Sequence, residues 1–305
     1  MLEKFGGVVP PVCTPLTESY EIDVPSLEKL IRFQLDAGVH GVFMLGSTSE
    51  TAAITDDQRR QVLEIVVKTV GGQVPVLAGV IDFSTAQVLD HMRIAEELGV
   101  DGFVSTAPFY IRPSQDEIVE HFRMLHAATS LPIFAYEIPS NVQTSIARAT
   151  MVAMAREGLI VGMKDSSGNE GNFRNVLLDT RDVAGFAMFT GAELTVDSAL
   201  LMGADGVVPG LGNVDPAGYV RLFDAVRAGD LDAAREEQER LCRLFEIIWQ
   251  GANRTGFTAS ALGGFKTALM LQGVIATNVM GRPMTRLNDE ETGRIREILA
   301  ATGVL

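Results

Sequence analysis

Cysteine, tryptophan and lysine are all scarce in this chain of 305 residues, which has two Cys, one Trp and five Lys. Cys13 and Cys242 are too few for a disulfide scaffold, and no Cys-x-x-Cys pair or Cys/His cluster offers a zinc site, so a reducing compartment is expected. No stretch approaches the ~18 uninterrupted apolar residues that would span a bilayer. Residues 1–7 also lack the apolar core of a signal peptide, which gives a cytoplasmic location as the expectation. Positive charge is in deficit: 25 Lys and Arg stand against 39 Asp and Glu, a net charge of −14. Such a surface repels phosphate backbones and anionic lipid, so neither nucleic acid nor a membrane is an expected partner. What is present is the make-up of a globular protein, with 47% hydrophobic residues and 30 Gly.

Short apolar runs alternate with amphipathic stretches throughout, the pattern of βα units around a parallel sheet. Eight strands are expected: Val8–Val12, Val42–Leu45, Val74–Ala78, Gly102–Ser105, Ile133–Tyr136, Ile160–Met163, Phe186–Phe189 and Val207–Val208. Helices are expected over Ser26–Ala37, Asp56–Val70, Thr85–Leu98, Ser114–Ala128 and Glu193–Met202. Thr55 with Gln58, and Ser114 with Glu117, have the spacing of capping boxes. Three segments echo one another, beginning at Gly38, Gly99 and Gly203: a glycine ends a helix, a tight turn follows, and a buried strand starts. Eight such units predict a (β/α)8 TIM barrel over residues 1–225, with an open doubly wound sheet as the alternative. The remaining residues, 226–305, read as a C-terminal helical region packed on the barrel, including helices over Ala233–Gln250 and Ser260–Leu271. No Pro/Ser-rich linker separates the two.

A barrel builds its site at the C-terminal ends of its strands, so the candidates are polar residues that follow an apolar run. Thr14, Gly46–Glu50, Pro108–Tyr110, Tyr136, Lys164–Asp165, Gly191 and Gly210–Asn213 meet that test. Lys164 stands out. The other lysines lie at a terminus or in helical patterns and read as solvated, whereas Lys164 ends a buried strand. Loss of water favours the neutral amine, which can attack a carbonyl to form a Schiff base. An ion pair with Asp165 or Glu137 is the alternative. Tyr136 ends the preceding strand and reads either as a proton relay or as an aromatic cap on the core. The Gly46–Glu50 loop offers hydroxyls and N–H groups suited to a carboxylate, or is a plain turn. Gly210-Leu211-Gly212 fits no nucleotide-binding pattern, so no cofactor is assigned. His40, His91, His121 and His126 lack metal-ligand spacing and read as surface residues; no metal is expected. The twelve Met read as core fillers.

Together these residues resemble the dihydrodipicolinate synthase and N-acetylneuraminate lyase family of Schiff-base barrels. Gly46-Ser47-Thr48-Ser49-Glu50 is similar to the family's G-[ST]-T-G-E loop, and Tyr136-Glu137-Ile138-Pro139 to Y-N-x-P. Pro108-Phe109-Tyr110 with Arg112-Pro113, and Lys164-Asp165-Ser166-Ser167-Gly168, complete the match in the expected order. The resemblance implies a lyase whose Lys164 forms an imine with pyruvate or another 2-oxo acid, with no metal or dissociable cofactor. Tyr136 would relay protons with Ser47, Thr48 would join Ser47 in holding the substrate carboxylate, and Gly191 and Gly210 would line the substrate pocket. Tyr110 matches a tyrosine that reaches into a neighbouring subunit's site, in a homotetramer built as a dimer of dimers.

The chain also departs from the family. Asn141 stands where the synthase branch has an arginine, and Ser49 and Glu137 replace the usual loop glycine and the Y-N-x-P asparagine. Gly191-Ala192-Glu193-Leu194 and Gly210 differ from the acidic pair and serine of the sialic acid branch. The expected reaction is an aldolase step on a 2-oxo acid, including a 2-keto-3-deoxy sugar acid. Sugar-acid dehydration and dihydrodipicolinate synthase activity are the alternatives in the same family, and a non-catalytic metabolite-binding barrel is the distant one.

Overall fold

The computed structural model describes residues 5–305, so Lys4, read as a solvated terminal charge, lies outside the described residues. Eight parallel strands alternate with helices. The strands are β1 (Gly7–Val8), β2 (Val42–Met44), β3 (Val76–Gly79), β4 (Gly102–Thr106), β5 (Ile133–Glu137), β6 (Gly162–Asp165), β7 (Ala187–Thr190) and β8 (Gly206–Val207). Around them run α1 (Val24–Asp36), α2 (Asp56–Val70), α3 (Thr85–Glu97), α4 (Gln115–Ala128), the short α5 (Pro139–Val142), α6 (Arg148–Arg156), α7 (Glu170–Thr180), α8 (Val196–Met202) and α9 (Pro216–Ala228). Three further helices follow: α10 (Leu231–Phe245), α11 (Phe257–Leu271) and α12 (Asp289–Ala301). The expected division after residue 225 falls inside α9.

The barrel closes between β1 and β2 without a regular ladder. Pro11 bridges Phe43 in parallel, the Phe43 N–H donates to the Pro10 carbonyl at 3.0 Å, and the Val12 N–H donates to the Phe43 carbonyl at 2.9 Å. The expected strand Val8–Val12 is cut to two residues because Pro10 and Pro11 have no N–H to give to a ladder. Asn213 reinforces this seam from the loop after β8. Its side chain accepts from the Cys13 N–H at 2.9 Å and donates to the carbonyls of Pro11 and Gly210, both at 2.8 Å.

Both expected capping boxes form, at Thr55/Gln58 and Ser114/Glu117. Gly38, Gly99 and Gly203 all take positive φ, at 83°, 85° and 107°, which accounts for the repeated glycine at these helix-to-strand turns. The apolar side chains divide into two layers. Most fill the space between the sheet and its helices. The second layer, which includes Val9, Phe43, Leu77, Val104, Phe134, Tyr136 and Phe189, packs inside the barrel. Strand alternation explains the division, since neighbouring residues face opposite sides.

Candidate active site

Lys164 is the third residue of β6, within the strand rather than after it, and is 7% exposed. Its Cα pairs in register with that of Tyr136 on β5. The ammonium Nζ lies 4.0 Å from the Tyr136 ring centroid and 5.3 Å from that of Phe43. No ion pair of Lys164 occurs among the described residues, so neither expected carboxylate partner takes it. Glu137 and Asp165, one residue further along each strand, turn to the opposite face. There Glu137 accepts from the Ile146 N–H at 2.8 Å and Asp165 from the Ser167 N–H at 2.7 Å. Beneath Lys164 the barrel interior is filled by Val9, Phe43, Leu77, Val104, Phe134, Phe189 and Val208. The amine therefore tops an apolar column.

The loop after β2 forms a tight helical turn over Ser47–Ser49. Two non-glycine residues with left-handed backbone bracket it, Leu45 at φ 57° and Glu50 at φ 58°. Such conformations persist where the surroundings hold them in place, and they concentrate at functional sites. Gly46 permits the turn, since a Cβ there would sit 2.7 Å from the Phe43 ring. Ser49 is buried and its hydroxyl donates to the Val12 carbonyl at 2.6 Å, while the Thr14 hydroxyl donates to the Ser49 carbonyl at 2.8 Å. Ser47 and Thr48 remain half-buried at the mouth, and their N–H groups precede the first hydrogen bond of the turn. Ser49 is thus an anchor of this loop.

Gly191 lies against the amine: a Cβ there would come within 3.3 Å of Lys164 Cε and 3.1 Å of the Asp165 carbonyl. At Gly210 a Cβ would meet the Phe265 ring at 2.8 Å and would lie 3.4 Å from Glu193 Oε2. Glu193 follows β7 and accepts from the Leu211 N–H at 2.6 Å and from the Tyr219 hydroxyl at 3.4 Å. Burial pushes its carboxyl up to about 7, against the pull of the Leu211 N–H and of the Lys164 ammonium. The helix expected over Glu193–Met202 begins only at Val196. Glu193 lies in a separate turn, Glu193–Thr195, at the strand end where a barrel places its chemistry.

A cleft of about 500 Å³ opens beside the Ser47 turn, and its walls include Ser47, Thr106, Phe109, Asn141 and, from α11, Leu262. Asn141, in α5, faces the cleft. Glu137 does not, because it faces the outer layer. Tyr110 is not brought to Lys164 of its own chain. It sits at φ 72° with 93% exposure, its ring 6.1 Å from that of Phe83.

Three other expectations are corrected. Lys266 is not a solvated helix charge: it is fully buried and ion-paired with Glu50. α11 is buried on every side from Ala259 to Leu269, and its residues are mostly apolar. His121 is buried between the Thr85 hydroxyl, 2.9 Å from Nδ1, and Ser105, and burial lowers its pKa to about 4. His91 is held at 2.8 Å from both Asp82 and Arg59. His40 and His126 do lie at the surface. Among the described residues no cluster of His, Cys, Asp or Glu is arranged to hold a metal ion, and no helix is long and apolar enough to cross a membrane.

Comparison with known proteins agrees with this fold. The model of the dihydrodipicolinate synthetase family matches residues 4–302. The chain is 31% identical over 296 residues to the 4-hydroxy-tetrahydrodipicolinate synthase of Desulfotalea psychrophila, covering 97% of this chain and 96% of the relative. It is 33% identical over 299 residues to an uncharacterized DapA-like lyase of Halobacterium salinarum, covering 98% of this chain and 94% of the relative. The solved dihydrodipicolinate synthase of Bacteroides thetaiotaomicron superposes with a TM-score of 0.91 at 30% identity, over 97% of this chain and 98% of that one. The chain belongs to the dihydrodipicolinate synthetase family of lyases.

Proposed function

We propose that the protein forms or cleaves a carbon–carbon bond of a 2-oxo acid through an imine on Lys164. The observation that carries this reading is the pairing of Lys164 with Tyr136 at the top of a dry barrel interior, an amine and a phenol in register on neighbouring strands. The free amine adds to C2 of the oxo acid, and the carbinolamine loses its oxygen as water, with Tyr136 supplying and recovering the proton. The resulting iminium withdraws electrons from C3. In the cleavage direction the C3–C4 pair flows to the imine nitrogen, the C4 hydroxyl proton passes to the relay and an aldehyde leaves. Synthesis runs the same steps backwards. Ser47 and Thr48 hold the carboxylate at the mouth, with Ser47 also in the relay, and Gly191 and Gly210 keep the pocket walls bare. Protonation of the resulting enamine at C3 and hydrolysis of the imine by water return the Lys164 amine and release the shortened 2-oxo acid, and no dissociable cofactor is invoked.

Glu193 favours a second reading within the same chemistry. Its carboxyl lies within electrostatic reach of Lys164 and is held up to about 7, so near neutral pH it is poised to protonate a departing hydroxyl. That would make the reaction the dehydration of a 2-keto-3-deoxy sugar acid. Product analysis separates the two: a lyase releases pyruvate, whereas a dehydratase keeps the carbon skeleton. Relatives named 4-hydroxy-tetrahydrodipicolinate synthase support condensation of pyruvate with an aldehyde as a third form, made in this chain without the arginine that Asn141 replaces. We further propose a cytoplasmic homo-oligomer, a dimer of dimers, in which Tyr110 and Phe83 meet a neighbouring copy.

The test is reductive trapping. Incubation with pyruvate and borohydride, followed by digestion and mass spectrometry, should place the adduct on Lys164. Lys164→Ala should remove both adduct and turnover while the protein stays folded. Retained turnover in that variant would overturn the mechanism.

A further inference from the structure

Lys266 and Glu50 are both completely buried, on elements 216 residues apart. An ammonium in such surroundings is tolerated only when it is paired and its donors are used. The Lys266 Nζ meets Glu50 Oε1 and donates to the Val279 carbonyl at 2.7 Å, while Glu50 Oε2 accepts from the Gly281 N–H at 2.6 Å. The pair therefore joins three segments: the loop after β2, helix α11, and the 279–281 stretch beyond it.

Glu50 is also the pivot of the loop's backbone. Its N–H donates to the Ser47 carbonyl at 3.1 Å, and its own carbonyl accepts from the Ala53 N–H at 2.8 Å. At φ 58° it reverses the chain between the turns Ser47–Ser49 and Thr51–Ala53. Fixing this side chain therefore fixes the turn that displays Ser47 and Thr48. The loop is pinned to the β1 side by hydroxyls, through Ser49 and Thr14, and to the C-terminal helical region by charge.

We propose that the Lys266–Glu50 pair is a positioning device for carboxylate recognition. It holds Ser47 and Thr48 at the spacing that receives the 2-oxo acid's carboxylate without itself touching substrate. The proposal rests on the reading of Lys164 and of the Ser47–Thr48 loop given above. A charged pair suits the task because each carboxylate oxygen has one fixed donor, whereas an apolar contact would let the loop slide.

The test compares two ketones that trap on the same amine, pyruvate and methyl pyruvate; the second lacks the carboxylate. The first variant is Glu50→Met combined with Lys266→Met, which removes both charges and leaves neither stranded. The second is Gly281→Ala, whose Cβ would lie 3.2 Å from Glu50 Oε2 and 2.7 Å from Ala53 Cβ, displacing the pair while keeping its charges. Thermal unfolding establishes that each variant is folded. In either folded variant the half-saturating pyruvate concentration should rise about tenfold or more, the scale of a weakened hydrogen bond to a charged group. The maximal trapping rate should hold, and methyl pyruvate should trap as in the parent. Loss of both ketones in parallel would mark a general disturbance and overturn the proposal, as would unchanged half-saturation by pyruvate. If the double variant does not fold, Gly281→Ala decides. A parent protein that traps neither ketone overturns the Lys164 reading itself, a result distinct from either failure above.

Discussion

Tyr136 and Lys164 are register partners on adjacent strands, and the ammonium rests 4.0 Å from the centroid of the phenol ring. The distance between amine and relay is thus set by a backbone ladder, which is stiffer than a loop. Tyr136→Phe keeps the ring and the packing and removes only the hydroxyl. Steady-state kinetics should show kcat/KM lower by about 10²- to 10⁴-fold, the usual range for a lost proton relay, while the borohydride adduct on Lys164 still forms. Full activity in this variant would remove Tyr136 from the mechanism.

Desolvation of two carboxyls gives stability a defined pH dependence. Burial raises both Glu137 and Glu193 from an ordinary 4.5 to about 7. Between those values the folded chain binds protons that the unfolded chain has released, so their contribution is full below pH 4.5 and is lost as pH rises through about 7. His121 acts in the opposite direction. Lowered by burial from 6.5 to about 4, its contribution is lost as pH falls through that range. Urea unfolding from about pH 5 to about pH 8 should show the decline on the alkaline side, and Glu137→Gln should flatten it. An identical slope in that variant would contradict the assignment.

Asn213 is fully buried and makes four hydrogen bonds: two to the segment after β1, one to Gly210 of its own loop, and one from Gln34 Nε2 of α1 at 3.2 Å. Asn213→Ala strands the Cys13 N–H and the Pro11 carbonyl without water. At about 1–3 kcal/mol for each orphaned group, the variant should lose roughly 3 kcal/mol or more in urea unfolding. A loss below about 1 kcal/mol would show that the seam is held by other means.

Tyr110, Ile111 and Phe83 form an exposed apolar cluster at 93%, 58% and 51% exposure. Tyr110→Ala should leave the stability of the single chain within about 0.5 kcal/mol, as surface changes do. It should nevertheless shift sedimentation toward smaller species and reduce activity. Unchanged sedimentation together with unchanged activity would argue against a neighbouring copy at this surface.

The sequence made the strands legible because barrel strands are buried on both faces and read as short apolar runs; Lys164 was conspicuous as a charge inside one of them. Tyr136 and the Ser47–Thr48 loop followed from the same strand-end rule. Harder to read were the groups whose partners are remote in sequence. Lys266 is recognisable as buried only when α11 is seen to be mostly apolar, and nothing local identifies Glu50 as its partner. His121 sits on an amphipathic helix and becomes a core residue through Thr85, 36 residues away. Glu193 satisfied the strand-end rule, but its turn merged with the helical pattern of α8 and hid its orientation.

The alternation along β5 and β6 also guards against misfolding of a particular kind. A slip of β6 by one residue would exchange the faces of Lys164 and Asp165, sending the amine into the helix layer and an acid into the apolar column above Phe134. Such a chain would keep its barrel and its composition yet have no nucleophile. Gly162 opposes that slip, because the Phe134 ring and the Ala187 carbonyl occupy the space that any side chain in its place would need. Fidelity of chemistry in this protein is therefore partly a matter of strand alignment, enforced at a residue that takes no part in the reaction.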